Sequence, residues 1–539
     1  MTMRDFDKNK WFVVIIVVYL IGLVIPVTGF ARVSWDRMKP AGPNAYKYDD
    51  LSKHVNVDFM CAAWVGQPLP KDDPVREYIE KTFNVSIKFQ NLGQGDLTNK
   101  ATTRFASGDY PDVIFSWERI PIQRFYSQGF LVEDHKEYLK YLPTFKQQLS
   151  DADIAWATSL DGKMFGIPKA NGEKEDYYIL IRQDWLKKLG FGMPKTDDEL
   201  FKVAYAFTFN DPDGNGKKDT YGIQFFGATG DRPLTDKMDQ FAAMYGNPRW
   251  SISKEGKVTH PVLDGGRKRF LEFLKRCIDA GVVDPDWYTI GWADKKVYAG
   301  TIGMVRYHTD LTSETVQYSP LGEATLEWWW PITAPLKSVK YGTGGRRMPN
   351  TAIPKGIFAI TKKAAEDPVK VKRILHILDW WQYPNEGMGL TWFGYKAYPT
   401  TTQYFYNKVV YYGGLAKHPG NTKPEYVGVW DWGVPGNWYQ GVYWSNSDKP
   451  GPIFFSEVKQ AEIVEKMPRY PGDVSVWCQY DPEVERNLWL YESKEEIKFI
   501  RGTRSFDEWD DYVKGWLAAG GQQLIDTMTK QLKARGMIK

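Results

Sequence analysis

Residues 211–219 read Asp-Pro-Asp-Gly-Asn-Gly-Lys-Lys-Asp, a spacing of oxygen donors and glycines that suits a hard cation, with calcium the expected occupant. Asp211, Asp213, Asn215 and Asp219 are expected to offer side-chain oxygens and Lys217 its backbone carbonyl. Gly214 and Gly216 would permit the tight curl that brings these donors together. The pattern is half of an EF-hand loop. Its twelfth place, where a sensor carries a bidentate Glu, is Gly222, and no amphipathic helix starts there. A fixed structural ion is therefore expected rather than a switch. The competing reading is a solvated turn rich in Asp, Asn and Gly that holds no metal.

A chain of 539 residues is too long for one core and implies two large lobes or domains. Its 70 basic and 66 acidic residues leave a net charge of only +4, so no single-sign field announces nucleic acid or an anionic membrane surface. The 23 Trp and 32 Tyr exceed what a core requires, and rings with a flat apolar face and a polar edge suit a site that stacks on something. Trp11 to Phe30 is an uncharged apolar run behind Arg4, Lys8 and Lys10, which is how an export signal or a membrane anchor begins. The run is long enough to span a bilayer, while Pro26, Gly29 and Ala31 could also mark a cleavage region. Residues 1–31 are thus expected to be a signal or anchor, and 32–54, polar and without periodicity, a linker. No Cys lies near the apolar run, so a lipid-anchored Cys is not expected. Cys61, Cys277 and Cys478 allow at most one internal bridge, which does not make a disulfide scaffold.

Folding is expected to start near Val55, with strands at 56–65, 85–89 and 112–115 alternating with helices at 73–83 and 96–107. A second region of the same kind opens with a strand at 177–182. Thr196 and Glu199 then predict a capping box for the helix that delivers the chain into the cation loop. Alternating strands and helices predict α/β lobes built on mostly parallel sheets. The strand at 303–307 is expected to return to the first lobe. On this reading the N-lobe is 55–168 plus 295–345, and the C-lobe, with a large helical end, is 169–294 plus 346–539. In the last 45 residues Trp509, Tyr512, Trp516, Leu524 and Met528 are the expected packing positions.

Several segments, in this order, resemble the extracellular solute-binding proteins of family 1, the receptors of ATP-driven carbohydrate importers, and in particular the large members that capture oligosaccharides or alginate. They are Arg104-Phe105-Ala106-Ser107-Gly108-Asp109-Tyr110-Pro111-Asp112-Val113, then Asp161-Gly162-Lys163 to Gly166-Ile167-Pro168, and Ile181-Arg182-Gln183-Asp184-Trp185-Leu186. The cation loop, Trp392-Phe393-Gly394 and Phe506-Asp507-Glu508-Trp509 follow. The resemblance implies a periplasmic-binding-protein fold of two lobes joined by hinge crossovers, a sugar held between them, calcium in the 211–219 loop, and an ABC permease as partner. It implies export, a monomer and no catalysis. Thr220 stands where an alginate-binding relative has an acidic residue.

A sugar site needs aromatic planes for the C–H faces of the rings and planar polar groups for the hydroxyls. Trp430, Trp432, Trp438 and Trp444 belong to an aromatic cluster broken by Gly and Pro, which reads as a loop wall of such a cleft. Around the expected crossings, Lys169, Tyr177, Tyr178, Arg306, Tyr307 and Trp392 are candidates for its floor, each with ordinary packing as the alternative. His308 is expected to be packing. Arg306 and the Arg346-Arg347 pair could bind the carboxylates of an acidic sugar, although paired arginines are often merely solvated. The rival reading is an exported glycosidase or lyase with two carboxylates flanking the scissile bond. The chain shows no metal triad, nucleophile elbow or phosphate loop in support of it. A third is a sugar-sensing co-receptor that docks on a membrane kinase or chemoreceptor.

Overall fold

The computed structural model describes residues 37–62, 73–170, 177–227, 232–308, 310–347, 354, 356–393, 395–396, 402–406, 409–413, 442–444 and 451–539. Within them the first lobe is built on a five-stranded sheet in the order Val85–Leu92, Val55–Ala62, Val113–Ser116, Ile357–Ile360, Ile167–Pro168. The first three strands are parallel, and Ile357–Ile360 is antiparallel to both its neighbours. The local reasons are legible. Asp73 accepts from the Val75 N–H, Pro74 sits in the first turn, and Val75, Ile79 and Phe83 line one face of the Pro74–Phe83 helix, all of them buried. Val113–Ser116 is buried throughout, as a central strand covered on both faces must be.

The second lobe carries a four-stranded sheet in the order Trp329–Pro331, Tyr178–Arg182, Ile302–Tyr307, Tyr221–Gln224. The helix Asp197–Phe209 lies flat on it because two glycines let it approach. A Cβ on Gly222 would come within 2.3 Å of the Ala204 carbonyl oxygen, and one on Gly303 within 2.2 Å of the Phe207 ring. Thr196 caps that helix as expected, but Glu199 turns its carboxylate to the Lys195 N–H instead of closing the box. The closing helices Pro482–Ile500, Trp509–Trp516 and Gln522–Ala534 complete this lobe, and Trp509, Tyr512, Trp516, Leu524 and Met528 are all buried in its core.

Two boundaries differ from those expected. Ile302–Tyr307 pairs with Tyr178–Arg182 and Tyr221–Gln224 in the second sheet, so it does not return to the first. Ile357–Ile360 and the helix Pro368–Trp380 belong to the first lobe, not to the second. Hydrophobic patterning marks a strand but not the sheet it joins, which long-range pairing decides. The described residues within 37–170 and 356–393 therefore make one lobe, and those within 177–347 and 451–539 the other.

The described part of the expected linker is also structural. Asp49 is buried and accepts from Arg373 at 2.8 Å and lies 2.9 Å from His376 Nδ1, while the Tyr46 hydroxyl donates to Asp379 at 2.8 Å. These are single polar contacts made across the fold, so no periodicity announced them. The three cysteines are buried and unbridged. Residues 1–31 lie outside the described residues; among the latter no helix is long and apolar enough to cross a membrane.

Candidate functional site

A cavity of about 420 Å³ opens between the lobes. Its first-lobe wall carries Trp117, Glu118, Arg119, Trp156, Lys169 and Trp392. Trp117 follows the strand Val113–Ser116, at the carboxyl edge where ligands of open α/β sheets bind. Gln94 fixes this corner by accepting the Trp117 N–H at 3.0 Å and donating to Ser116 Oγ at 3.0 Å. Lys169 follows Ile167–Pro168 and its N–H donates to the Gly356 carbonyl. Its ammonium lies 5.2 Å from the Trp117 ring centre, 5.6 Å from Phe115 and 5.9 Å from Trp392, and burial pushes its pKa down to about 7.

The opposing wall is charged. Tyr177 precedes the strand Tyr178–Arg182 and lies under the Arg306 guanidinium, 3.5 Å from ring centre to Cζ. Arg249 pairs with Asp239 at 2.5 Å and with Asp236 at 3.2 Å, and Arg232 pairs with Asp236 at 3.4 Å. Burial raises the Asp236 carboxyl, but Arg232, Arg249 and Arg306 overcome it and hold the pKa at about 2. From the C-terminal part come Tyr480, Glu485 and Trp489. Ion pairs bridge the lobes: Glu118 to Arg232 at 4.0 Å, the buried Arg119 to Glu485 at 4.0 Å, and the more exposed Arg124 to Glu483 at 3.6 Å.

Of the floor candidates, Lys169, Tyr177, Arg306 and Trp392 line the cavity. Tyr178 and Tyr307 do not: they face each other across two antiparallel strands and are buried on the opposite side of the sheet, where the Tyr307 hydroxyl donates to Glu314 at 2.8 Å. Neighbours on a strand point to opposite faces, so Arg306 and Tyr307 cannot share the cleft. His308 packs between Tyr307, Tyr177 and Trp292, and burial pushes its imidazole down to about 3. Arg346 donates to the Arg469 carbonyl and Arg347 is buried, neither of them on the cavity wall. Trp430, Trp432 and Trp438 lie outside the described residues. Trp444 ends the strand Val442–Trp444, and its side chain likewise lies outside the described residues. The readings from sequence missed Trp117, Trp156, Trp489 and the Asp236–Asp239–Arg249 group. Trp117 had a signal in its place after a buried strand; the charged group, on short turns without periodicity, had none.

The 211–219 loop sits apart from the cavity, between the Asp197–Phe209 helix and the Tyr221–Gln224 strand. Asp211, Gly214 and Gly216 have φ of 47°, 76° and 72°, which is the curl anticipated. The Asp211 carboxylate accepts the N–H groups of Gly214, Asn215 and Gly216, at 3.0 to 3.1 Å. Asn215 stands in the middle, its amide nitrogen 2.7 Å from Asp213 Oδ2 and 3.2 Å from Asp219 Oδ1. Partial desolvation, with the nearby Asp219 and Asp211 charges, raises the Asp213 carboxyl. Among the described residues no three His, Cys, Asp or Glu side chains alone close on one point tightly enough to hold a metal. The donor set that fits a cation is therefore the mixed one of carboxylates, the Asn215 amide and a carbonyl, with the Asp211, Asp213 and Asp219 charges close together.

Residues 67–310 match the family model described as bacterial extracellular solute-binding protein. The chain is 27% identical over 258 residues to the fructooligosaccharide ABC transporter substrate-binding protein FusA of Streptococcus pneumoniae serotype 4 (strain ATCC BAA-334 / TIGR4). That alignment covers 45% of this chain and 47% of FusA, about half of the relative's length. In three dimensions the likeness is wider. The alginate-binding protein AlgQ2, solved without calcium ion, superposes with a TM-score of 0.65 at 18% identity over 93% of this chain and all of that one. An EF-hand mutant of S. pneumoniae FusA in complex with fructo-nystose gives 0.63 at 19% identity over 89% of this chain and 99% of that one. The fold is thus the two-lobe fold of the solute-binding proteins.

Proposed function

We propose that this protein is the substrate-binding component of an ABC-type importer, capturing an oligosaccharide between its lobes and passing it unaltered to the permease. The observation that carries this reading is the interlobe cavity, in which Trp117, Trp156, Tyr177 and Trp392 offer ring faces beside paired guanidinium and carboxylate groups. Such a lining matches sugar faces and sugar rims. Contacts from both lobes to one ligand favour closure, because they exist together only when the lobes meet. Five tryptophans among the described residues of the walls, Trp117, Trp156, Trp250, Trp392 and Trp489, make closure visible: titration with short oligosaccharides should shift the intrinsic emission and release heat. Silence in both measurements across a broad sugar panel sinks the reading, and release of reducing ends from a polysaccharide would favour the enzyme alternative. Export places the folded body on the extracellular face of the membrane, with residues 11–30 as guide or anchor.

Calcium in the 211–219 loop belongs to this reading as a structural ion, held by Asp211, Asp213, Asn215, Asp219 and the Lys217 carbonyl once the Asn215 amide turns its oxygen inward. When bound it would offset the mutual repulsion of Asp211, Asp213 and Asp219. Because the loop lies off the cavity, chelation should lower the melting temperature while leaving sugar affinity nearly unchanged, and Asp213→Ala should reproduce the thermal loss. A melting temperature indifferent to both chelator and added calcium would show that no ion is used.

A further inference from the structure

The ligands named for the relatives differ in charge, fructo-nystose being neutral and alginate a polyanion. The second-lobe wall distinguishes these chemistries. A site for a carboxylate needs uncommitted donors, as in a bare guanidinium fork. Here Arg249 is held between Asp239 and Asp236, and Arg232 between Asp236 and Glu118, while Arg306, which makes no ion pair within 4 Å among the described residues, has its charge set against the same Asp236 and Asp239. The edge facing the cavity therefore alternates donors and acceptors. It is also incompletely satisfied: Arg249 Nε and Arg306 Nε are buried and donate to no partner among the described residues. Buried donors left open in this way point to a group that arrives from outside.

Two neighbouring hydroxyls, each able to donate and to accept, complement such an edge. A ligand carboxylate only accepts, and it would lie against the ionised Asp236 and beside Asp239 while competing for their arginines. Burial pushes Asp239 up to about 7 in spite of Arg249, and in either protonation state it can bond a hydroxyl. Among the described residues six cationic and six carboxylate side chains line the walls, so these residues bring no large excess of cationic side chains to draw a polyanion in.

We propose that Asp239, Arg249 and Arg306, with the Tyr177 ring beneath, form a subsite for a vicinal diol of an uncharged sugar, so that the ligand is a neutral oligosaccharide. This rests on the sugar-receptor reading above. The test is calorimetry on the full chain with a neutral panel of short fructo-, galacto-, gluco- and xylo-oligosaccharides and an acidic panel of oligogalacturonate and oligoalginate. At least one neutral sugar should bind, with every acidic one about 100-fold weaker or more. Arg306→Met and Asp239→Asn should each weaken the neutral sugar by about 10- to 100-fold. Arg306 makes no ion pair within 4 Å among the described residues, and Asp236 keeps Arg232 and Arg249 beside it, so Arg306→Met should cost little melting temperature and stay folded even where Asp239→Asn loses more stability. Tighter binding of an acidic sugar overturns the diol subsite and leaves the receptor reading standing. Unchanged neutral binding in a folded Arg306→Met also overturns it. Binding of neither panel defeats the receptor reading itself.

Discussion

Arg373→Met should be among the most damaging single substitutions in the first lobe, costing about 3–5 kcal/mol of stability, the range for stranding one partner of a buried ion pair. Arg373 and Asp49 are both fully buried. Besides Asp49, the guanidinium donates to the carbonyls of Asn84 at 2.9 Å, Asp50 at 2.8 Å and Lys53 at 3.1 Å, and to that of Phe83. One side chain thus ties the segment before the first strand to the end of the Pro74–Phe83 helix and to the Pro368–Trp380 helix. Methionine fills much of the volume but satisfies none of these acceptors, and leaves the Asp49 carboxylate with His376 alone. At roughly 2–4 °C per kcal/mol for a lobe of this size, the first-lobe melting transition should fall by about 10 °C. Hydrogen exchange should show residues 46–53 opening first. Adding Asp49→Leu to Arg373→Met should recover part of the loss, because the stranded charge is then removed. A transition unmoved by Arg373→Met would mean that this network holds nothing together.

Gly222→Glu is the substitution a simple reading of the cation loop recommends, since it supplies the missing twelfth ligand. It should fail. A Cβ at 222 would lie 2.3 to 2.7 Å from the carbonyl oxygen, Cα and carbonyl carbon of Ala204, all main chain of a helix that cannot step aside without dragging its buried face. The cost should be about 3 kcal/mol or more, at or above the upper end for overpacked cores, because backbone rather than a flexible side chain must move. The Gly222 N–H is committed as well, donating to Thr208 Oγ1 at 2.9 Å. Melting should therefore drop and calcium affinity fall, and Gly222→Ala should show most of the thermal loss. Tighter calcium binding by Gly222→Glu at an unchanged melting temperature would refute the packing argument. The loop is half an EF-hand because its far end is a strand pressed against a helix, not the start of a second helix.

What the sequence determined by itself is local. The curl at 211–219 was written in its Asp, Asn and Gly, because such residues carry their backbone preference with them. The Pro74–Phe83 helix was legible from its cap and from the spacing of Val75, Ile79 and Phe83, and the buried C-terminal helices from their aromatic positions. What only the tertiary structure decided is partnership and direction. Ile302–Tyr307 reads as a strand in any sheet, and long-range pairing put it in the second. Arg306 and Tyr307 are equally suited to a sugar, and the pleat sends one to the cavity and the other to the core. Asp236, Asp239 and Arg249 gave no signal on their short turns, yet they form the charged wall of the cavity. Asp49 and Arg373 lie 324 residues apart and meet because two unrelated segments fold onto one sheet. Local conformation costs a few tenths to about one kcal/mol per residue and is set by neighbours in the chain. Burial and ion pairing are collective quantities, fixed only when distant segments come to share a volume from which water is excluded.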